Sequence, residues 1–187
     1  QTNQVGVKNV MYFHSDDVLF RNNFASGNLS PPYTMFMVVK AENQNNRWLI
    51  NTGGAYLRYY HTYEIDMQGL RIDYSFETDL DYHIYSLKWN TSNSEFYVNS
   101  RLTGAGNTGT PVISNMSLGA NNSSGHLGVQ TTRIAEYILV SEAVTGNEQL
   151  EIEKYLNDKW SIGITYDADS DYDGVPDSSD DFDNNPD

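Results

Sequence analysis

The C-terminal end of the chain carries carboxylates at a spacing that suits a divalent cation. Counted from Asp169, acidic residues fall at positions one, three, five, nine and twelve, with Gly174 at position six. Alternate residues of a curling chain point inward, and the glycine allows the turn that directs the carbonyl of position seven. Oxygen ligands in this order are those of a calcium loop. The predicted ligands are Asp169, Asp171, Asp173, the Val175 carbonyl, Asp177 and Asp180, followed by Asp181 and Asp183.

An acidic tail is more often a disordered, solvating segment. Disorder requires no register, however, whereas five carboxylates and a glycine are in register here. Two carboxylates 4 Å apart repel by about 4 kcal/mol at an effective dielectric constant near 20, so the loop is predicted to be open without a cation. Weak calcium loops operate where free calcium is millimolar, which predicts a secreted or cell-surface protein.

Composition limits the classes of partner. The chain has 187 residues and a net charge of −14, and nine of its 25 acidic residues lie between positions 167 and 187. Its 11 Lys and Arg residues are scattered, which argues against nucleic acid. The longest apolar runs, such as Met35–Val39, are too short to cross a bilayer, so no membrane insertion is expected. Because the chain begins with Gln1, we expect it to be one part of a longer, multidomain protein.

Short runs of β-branched and aromatic residues alternate with Asn, Gly and Ser clusters through the first 165 residues. This rhythm predicts antiparallel strands, and period-two alternation predicts one buried face for each. Two packed sheets follow, so the predicted fold is all-β, an antiparallel two-sheet sandwich. The predicted strands are 33–40, 47–51, 55–60, 70–76, 82–89, 95–99 and 133–140.

One helix is predicted near the end of this domain. Thr145 and Glu148 form a capping-box pattern, and apolar residues from Leu150 to Trp160 follow at helical spacing before Gly163. The helix is expected to lie against the sandwich. The hydrophobic pattern stops after Ile164, which predicts a domain of residues 1–165 and an irregular calcium-binding tail of residues 166–187.

The segment Tyr82–Trp89, followed by Phe96–Asn99, resembles paired strands of laminin-G-like, concanavalin A-like jelly rolls. The segment from Arg133 to Trp160 resembles the closing strand and C-terminal helix of the bacterial branch, and the aspartate run resembles a bacterial thrombospondin type 3 repeat. The resemblance implies a jelly-roll sandwich. It also implies a non-catalytic binding module within a large secreted or surface protein, such as a bacterial adhesin.

The sequence offers little for catalysis. Glu64-Ile-Asp66-Met-Gln68 resembles the Glu-x-Asp-x-Glu strand of concanavalin A-like glucanases, but glutamine at position 68 cannot exchange a proton. Residues 104–109 formally fit a dinucleotide fingerprint, yet Thr110 and Pro111 follow where a helix is needed, so a hairpin loop is predicted. The four histidines show no metal-ligand spacing. The prediction is that the protein is not an enzyme.

Ligand binding is expected from loops on the rigid scaffold. Rings in residues 58–63 could stack on a sugar or a peptide, and residues 121–126 offer amide groups. Residues 15–17 could hold a further cation. Cross-strand packing, a flexible turn and an ordinary hairpin turn are the respective structural alternatives. The candidate ligand-binding residues are Arg58, Tyr59, Tyr60, His61, Tyr63, Asn121, Asn122 and His126.

The sequence therefore predicts a calcium-dependent, extracellular module that binds a glycan or a peptide, within a bacterial adhesin or surface protein. Two alternatives stay open. One is a carbohydrate-binding appendage, or a degenerate glycoside hydrolase using Glu64 and Asp66, of a secreted polysaccharide-degrading enzyme. The other is a structural spacer rigidified by calcium.

Overall fold

A computed structural model of the chain describes residues 2–5, 8–14, 17–24, 27–41, 47–61, 64–73, 81–119 and 132–166. These residues form antiparallel strands, a short 3-10 helix at Thr91–Asn93 and one α-helix. The elements are β1 (Thr2–Val5), β2 (Lys8–Phe13), β3 (Leu19–Asn22), β4 (Tyr33–Ala41), β5 (Arg47–Asn51), β6 (Tyr56–His61), β7 (Glu64–Met67), β8 (Leu70–Asp73), β9 (His83–Trp89), β10 (Ser94–Val98), β11 (Arg101–Gly106), β12 (Asn115–Leu118), β13 (Thr132–Val140) and α1 (Gly146–Trp160).

The strands form two sheets. A seven-stranded sheet has the order β1-β2-β13-β4-β9-β10-β11, and a six-stranded sheet has the order β3-β12-β5-β6-β7-β8. All of the recorded strand pairs are antiparallel, as predicted. At one side the sheets approach closely, because a Cβ added at Gly106 of β11 would lie 2.8 Å from Leu70 of β8. Glycine at this position lets the two edge strands meet.

The main core lies between the sheets. Inward residues of β4 and β9 pack against inward residues of β5, β6 and β7, as the period-two alternation of each strand requires. The largest fully buried side chains of this core include Trp89, Tyr33, Tyr59, Tyr85 and Phe96. Burying such rings stabilises the core, at about 25 cal/mol per Å² of apolar surface removed from water.

A second core lies on the other face of the seven-stranded sheet, beneath α1. Leu156 and Trp160 of the helix pack with Phe36, Val38 and Ile84 of the central strands. Because both faces of β9 are covered, all seven of its residues are buried. The capping box is present as predicted: the Thr145 hydroxyl accepts from the Glu148 amide, and the Glu148 carboxylate accepts from the Thr145 amide.

A carboxylate is buried beneath this helix. Glu153 is fully buried, and its Oε1 accepts hydrogen bonds from Ser86 Oγ at 2.6 Å and from Gln149 Nε2 at 2.9 Å. Its Oε2 accepts from the hydroxyl of Ser100, in the turn between β10 and β11. Burial raises the pKa of Glu153 above its ordinary value of 4.5, against the opposing effect of these hydrogen bonds.

After the helix, the chain folds back onto the domain. The Asn157 side chain accepts hydrogen bonds from the amides of Gly163 and Ile164, at 3.0 and 2.9 Å, and donates one to the Ile164 carbonyl. Ile162 and Ile164 pack against the second core. The helix therefore ends in a fixed segment that leads toward the acidic tail. Within the described residues, no helix is long and apolar enough to span a membrane.

The predicted all-β sandwich with one helix is confirmed. Each predicted strand corresponds to a strand of the structure within one or two residues, apart from 74–76, which lie outside the described residues. The hairpin-loop prediction for residues 104–109 is wrong in its first half, because Gly104 and Gly106 belong to β11. Strands β1, β2, β3, β7, β11 and β12 were not among the predicted strands. The proposed calcium ligands, from Asp169 to Asp183, lie outside the described residues.

Candidate ligand-binding site

One cluster of aromatic and charged side chains lies on the outer face of the six-stranded sheet. Trp48 of β5 pairs with Arg58 of β6, and Arg58 pairs with Asp66 of β7. Directly paired residues of antiparallel strands share a face, and Tyr56, two residues before Arg58, shares it as well. The inward residues Leu57 and Tyr59 alternate with these positions. The fold therefore brings together Trp48, Tyr56, Arg58 and Asp66, which we call the Arg58 cluster.

The guanidinium of Arg58 lies between two rings. Its central carbon is 5.0 Å from the ring centroid of Trp48 and 5.4 Å from that of Tyr56. The two rings are themselves 5.0 Å apart, in an edge-to-face arrangement. Each of the three side chains is partly exposed. Cation–π contacts of this kind are worth about 0.5–1 kcal/mol at exposed sites and order a side chain that would otherwise be mobile.

The Asp66 carboxylate holds the Arg58 guanidinium and the Tyr56 hydroxyl in place. Its Oδ2 accepts hydrogen bonds from Arg58 Nε at 3.1 Å, from Arg58 Nη2 at 2.8 Å and from the Tyr56 hydroxyl at 3.3 Å. Its Oδ1 accepts from the Gly69 amide at 2.7 Å. The Asp66 side chain is only 3% exposed, against 21% for Arg58. A nearly buried carboxylate thus holds a partly exposed cation in one orientation.

The turn between β7 and β8 supplies the Gly69 amide. Gln68 and Gly69 both adopt positive φ, at 50° and 85°. Two consecutive residues with positive φ make the tight hairpin turn that matches strand twist, and glycine takes that conformation without steric cost. Burial, and next the Asp66 carboxylate, raise the pKa of Tyr56 above its ordinary value of 10.0. The phenol therefore stays protonated and donates to Asp66 at neutral pH.

Two of the residues predicted to bind a ligand have described side chains, and these lie on opposite faces of β6. Arg58 lies in the cluster, whereas Tyr59 is 1% exposed and packs in the core between the sheets. Including Tyr59 among the surface residues was therefore wrong, because alternation along β6 turns it inward. Tyr60 and His61 continue β6, but their side chains lie outside the described part of the chain. The described residues do not include Tyr63, Asn121, Asn122 or His126.

Trp48 and Tyr56 were missed by sequence reasoning. The signal was present, because Leu57 and Tyr59 share one phase of β6 and so assign Tyr56 and Arg58 to the other. In β5 the register shifts between Trp48 and Ile50, so Leu49 and Ile50 are both buried and Trp48 stays on the outer face. Such a bulge is not visible in the hydrophobic pattern.

The glucanase-like motif does not form an open carboxylate pair in the described residues. Asp66 is engaged by Arg58, Tyr56 and Gly69 and is nearly buried. Gln68 lies in the turn after the strand. The side chain of Glu64 lies outside the described residues. Among the described residues, no group of three or more His, Cys, Asp or Glu side chains is placed to hold a metal ion.

Two antiparallel sheets packed face to face, with one helix against the outer side of the larger sheet, define a β-sandwich of the jelly-roll type. Solved structures with this fold include the receptor-binding domain of botulinum neurotoxin D, at a TM-score of 0.62 and 13% identity over 83% of this chain and 46% of that one. Domain 4 of a GH43 extracellular arabinanase from Geobacillus stearothermophilus, in complex with arabinotriose, matches at 0.59 and 10% identity, over 81% of this chain and 80% of that one.

A sialidase from Trypanosoma rangeli in complex with sialic acid matches at a TM-score of 0.53 and 15% identity, over 68% of this chain. The chain spans 23% of that sialidase and about half of the neurotoxin domain. At these identities the likeness shows the fold. No protein-family model matches the sequence, and a search of curated proteins gives no match.

Proposed function

We propose that this domain is a non-catalytic, extracellular carbohydrate-binding module, and that the Arg58 cluster contributes to its binding surface. The observation that carries the proposal is the arrangement of Trp48 and Tyr56 around a fixed, partly exposed guanidinium. Aromatic faces bind the apolar faces of sugar rings, and a guanidinium donates hydrogen bonds to sugar hydroxyls. A rigid sheet holds these groups in place before a ligand arrives, which lowers the entropy lost on binding.

The structural neighbours support a binding role. They include a receptor-binding domain and an arabinanase domain in complex with arabinotriose. The arabinanase domain is matched over most of its length, which favours the appendage of a secreted polysaccharide-degrading enzyme as a setting beside that of a bacterial adhesin. In both settings the ligand is extracellular. A peptide ligand remains the alternative to a glycan.

Binding is tested by screening the purified chain on a glycan array and by isothermal titration calorimetry with arabinotriose and with each glycan that the array identifies. We expect Trp48→Ala and Tyr56→Ala each to lower affinity about tenfold, since a stacked ring contributes about 0.5–1.5 kcal/mol beyond the area it buries. Tyr155→Ala is the matched control, because Tyr155 is 51% exposed on α1, across the sandwich from the cluster. Unchanged glycan affinity in both cluster variants, or binding of peptides alone, would contradict the proposal.

We further propose that calcium binds the acidic tail through Asp169, Asp171, Asp173, Asp177 and Asp180, with the Val175 carbonyl. Support comes from the ligand spacing in the sequence and from the lead-in segment that Asn157 fixes to the domain. In the calcium-bound state the carboxylates supply hard oxygen ligands, and their mutual repulsion is neutralised. The ion is expected to stiffen the tail, and this also supports the spacer role considered above.

Calorimetric titration with calcium distinguishes this site from one on the domain. The full chain should bind calcium, Asp171→Asn with Asp173→Asn should weaken binding about tenfold or more, and residues 1–166 should not bind. Repeating the glycan titration with calcium and with chelator then shows whether ligand binding depends on the ion. Calcium uptake by residues 1–166 equal to that of the full chain would exclude the tail.

A further inference from the structure

We infer that Asp66 makes the Arg58 cluster selective for neutral oligosaccharides over carboxylate-bearing ones. The inference rests on the proposed carbohydrate-binding function and names the class of sugar that the same surface accepts. Arg58 is the cation of the cluster, and Asp66, at 2.8 Å, is the matching anion.

The geometry of the ion pair decides which part of Arg58 a ligand can reach. Asp66 accepts hydrogen bonds from Nε and from Nη2, which together form one edge of the guanidinium fork. That edge is one with which arginine binds a carboxylate through two parallel hydrogen bonds. A uronate or sialate group seeking it must displace Asp66, whereas a neutral sugar needs only single hydrogen bonds from other positions.

Asp66 is not free to give way. Its second oxygen accepts from the Gly69 amide at 2.7 Å, and the Tyr56 hydroxyl donates to the first. Because only 3% of the Asp66 side chain is exposed, displacing Asp66 from Arg58 would leave a buried negative charge without its ion-pair partner. Removing one partner of a buried ion pair is strongly unfavourable because it leaves an uncompensated charge. The internal anion therefore occupies the Nε–Nη2 edge of Arg58 and neutralises the charge that would attract an anionic ligand.

The overall charge of the chain acts in the same direction. The whole chain carries a net charge of −14. A negative field of this kind repels anionic ligands and leaves neutral ligands unaffected, and salt screens it over about 8–10 Å.

The test compares matched neutral and acidic oligosaccharides on the full chain. Lactose and arabinotriose are the neutral probes, and sialyllactose and trigalacturonate are the acidic ones, together with neutral and sialylated pairs from the array. We expect the wild-type chain to bind the neutral member of a pair at least about tenfold more tightly. Asp66→Asn keeps the shape of the side chain and releases the Arg58 charge, so the preference should fall below about threefold through a gain for the acidic member.

The double variant Asp66→Asn with Arg58→Gln removes both charges and should not gain acidic binding. A second measurement needs no variant: raising salt from 20 to 500 mM should strengthen acidic binding to the wild-type chain and leave neutral binding unchanged, since only repulsion is screened. Equal wild-type affinity for both members of each pair, or an unchanged ratio in a folded Asp66→Asn variant, would overturn the inference. If no glycan binds at all, the proposed function fails instead.

Discussion

The hydroxyl oxygens of Tyr59 and Tyr85 lie 2.6 Å apart in the centre of the sandwich. Tyr59 belongs to β6 of the six-stranded sheet, and Tyr85 to β9 of the seven-stranded sheet. Both rings are almost completely buried. The hydrogen bond therefore joins the two sheets through their shared core, where a low dielectric strengthens it.

Removing either hydroxyl should reduce stability without affecting ligand binding. Tyr59→Phe and Tyr85→Phe are each expected to lower the free energy of unfolding by about 1–2 kcal/mol. The double variant should lose less than the sum of the two, because both changes remove the same bond. Urea denaturation measures the effect. Full additivity would show that the two hydroxyls act independently.

Glu153 should make stability depend on pH. Because burial raises its pKa in the folded state, the folded protein holds this proton more tightly than the unfolded one does. The resulting stabilisation is complete below pH of about 4.5 and is lost as the pH rises through the folded-state value. In Glu153→Gln, this part of the decline with rising pH, above a pH of about 4.5, should disappear.

Urea denaturation at several pH values checks this expectation. Glu151→Gln, at an exposed position of the same helix, is the control for a change of net charge. An identical pH profile in wild type and Glu153→Gln would contradict the assignment of this pH dependence to the buried carboxylate.

The capping box should contribute measurably to stability, because α1 covers one face of the larger sheet. Thr145→Ala removes the hydroxyl that accepts from the Glu148 amide, with an expected loss of about 1 kcal/mol. Thr145→Ser retains an accepting oxygen and should lose much less. Thermal unfolding by circular dichroism compares the three proteins. Equal losses for alanine and serine would show that the methyl group, not the hydroxyl, is responsible.

The segment after the helix should loosen when Asn157 is replaced. In Asn157→Ala, the amides of Gly163 and Ile164 lose their acceptor, so their hydrogen exchange should accelerate about tenfold or more. Asp158→Ala, an exposed change beside it, is the control. Exchange is followed by NMR. Unaltered protection at both amides would mean that packing of Ile162 and Ile164 holds the segment instead.

The strands that could be predicted are those whose burial follows a simple rule. Two strands whose faces are both covered, Tyr33–Ala41 and His83–Trp89, are rich in apolar and aromatic residues. In Tyr56–His61 only one face is covered, so buried and partly exposed residues alternate. The strands that were missed carry weaker signals. Leu19–Asn22 is an edge strand whose four residues are all exposed, and Arg101–Gly106 contains two glycines. The strand conformation of these two segments depends on pairing with neighbouring strands and not on a strong local preference of their residues.

The site was only partly predictable for a related reason. The aromatic residues from Tyr59 to Tyr63 are close together in the sequence and were predicted to contribute to one binding surface. Adjacent residues of a strand, however, point to opposite faces of the sheet. Trp48, eight residues before Tyr56, joins it in space through the register of β5 and β6. The ion pair between Arg58 and Asp66 depends in the same way on the register of β6 and β7. The register between neighbouring strands, on which this site depends, cannot be read from a single sequence.

The position of β13 has a consequence for how the protein is made. This strand lies between β2 and β4 in the larger sheet, and the bond from Thr132 Oγ1 to the Lys40 carbonyl joins residues 92 apart in sequence. Contacts this distant require closure of a long loop, which slows folding. Synthesis proceeds from the N-terminus, so β2 and β4 leave the ribosome well before the strand that completes their sheet. The larger sheet therefore cannot be completed until nearly all of the domain has been translated.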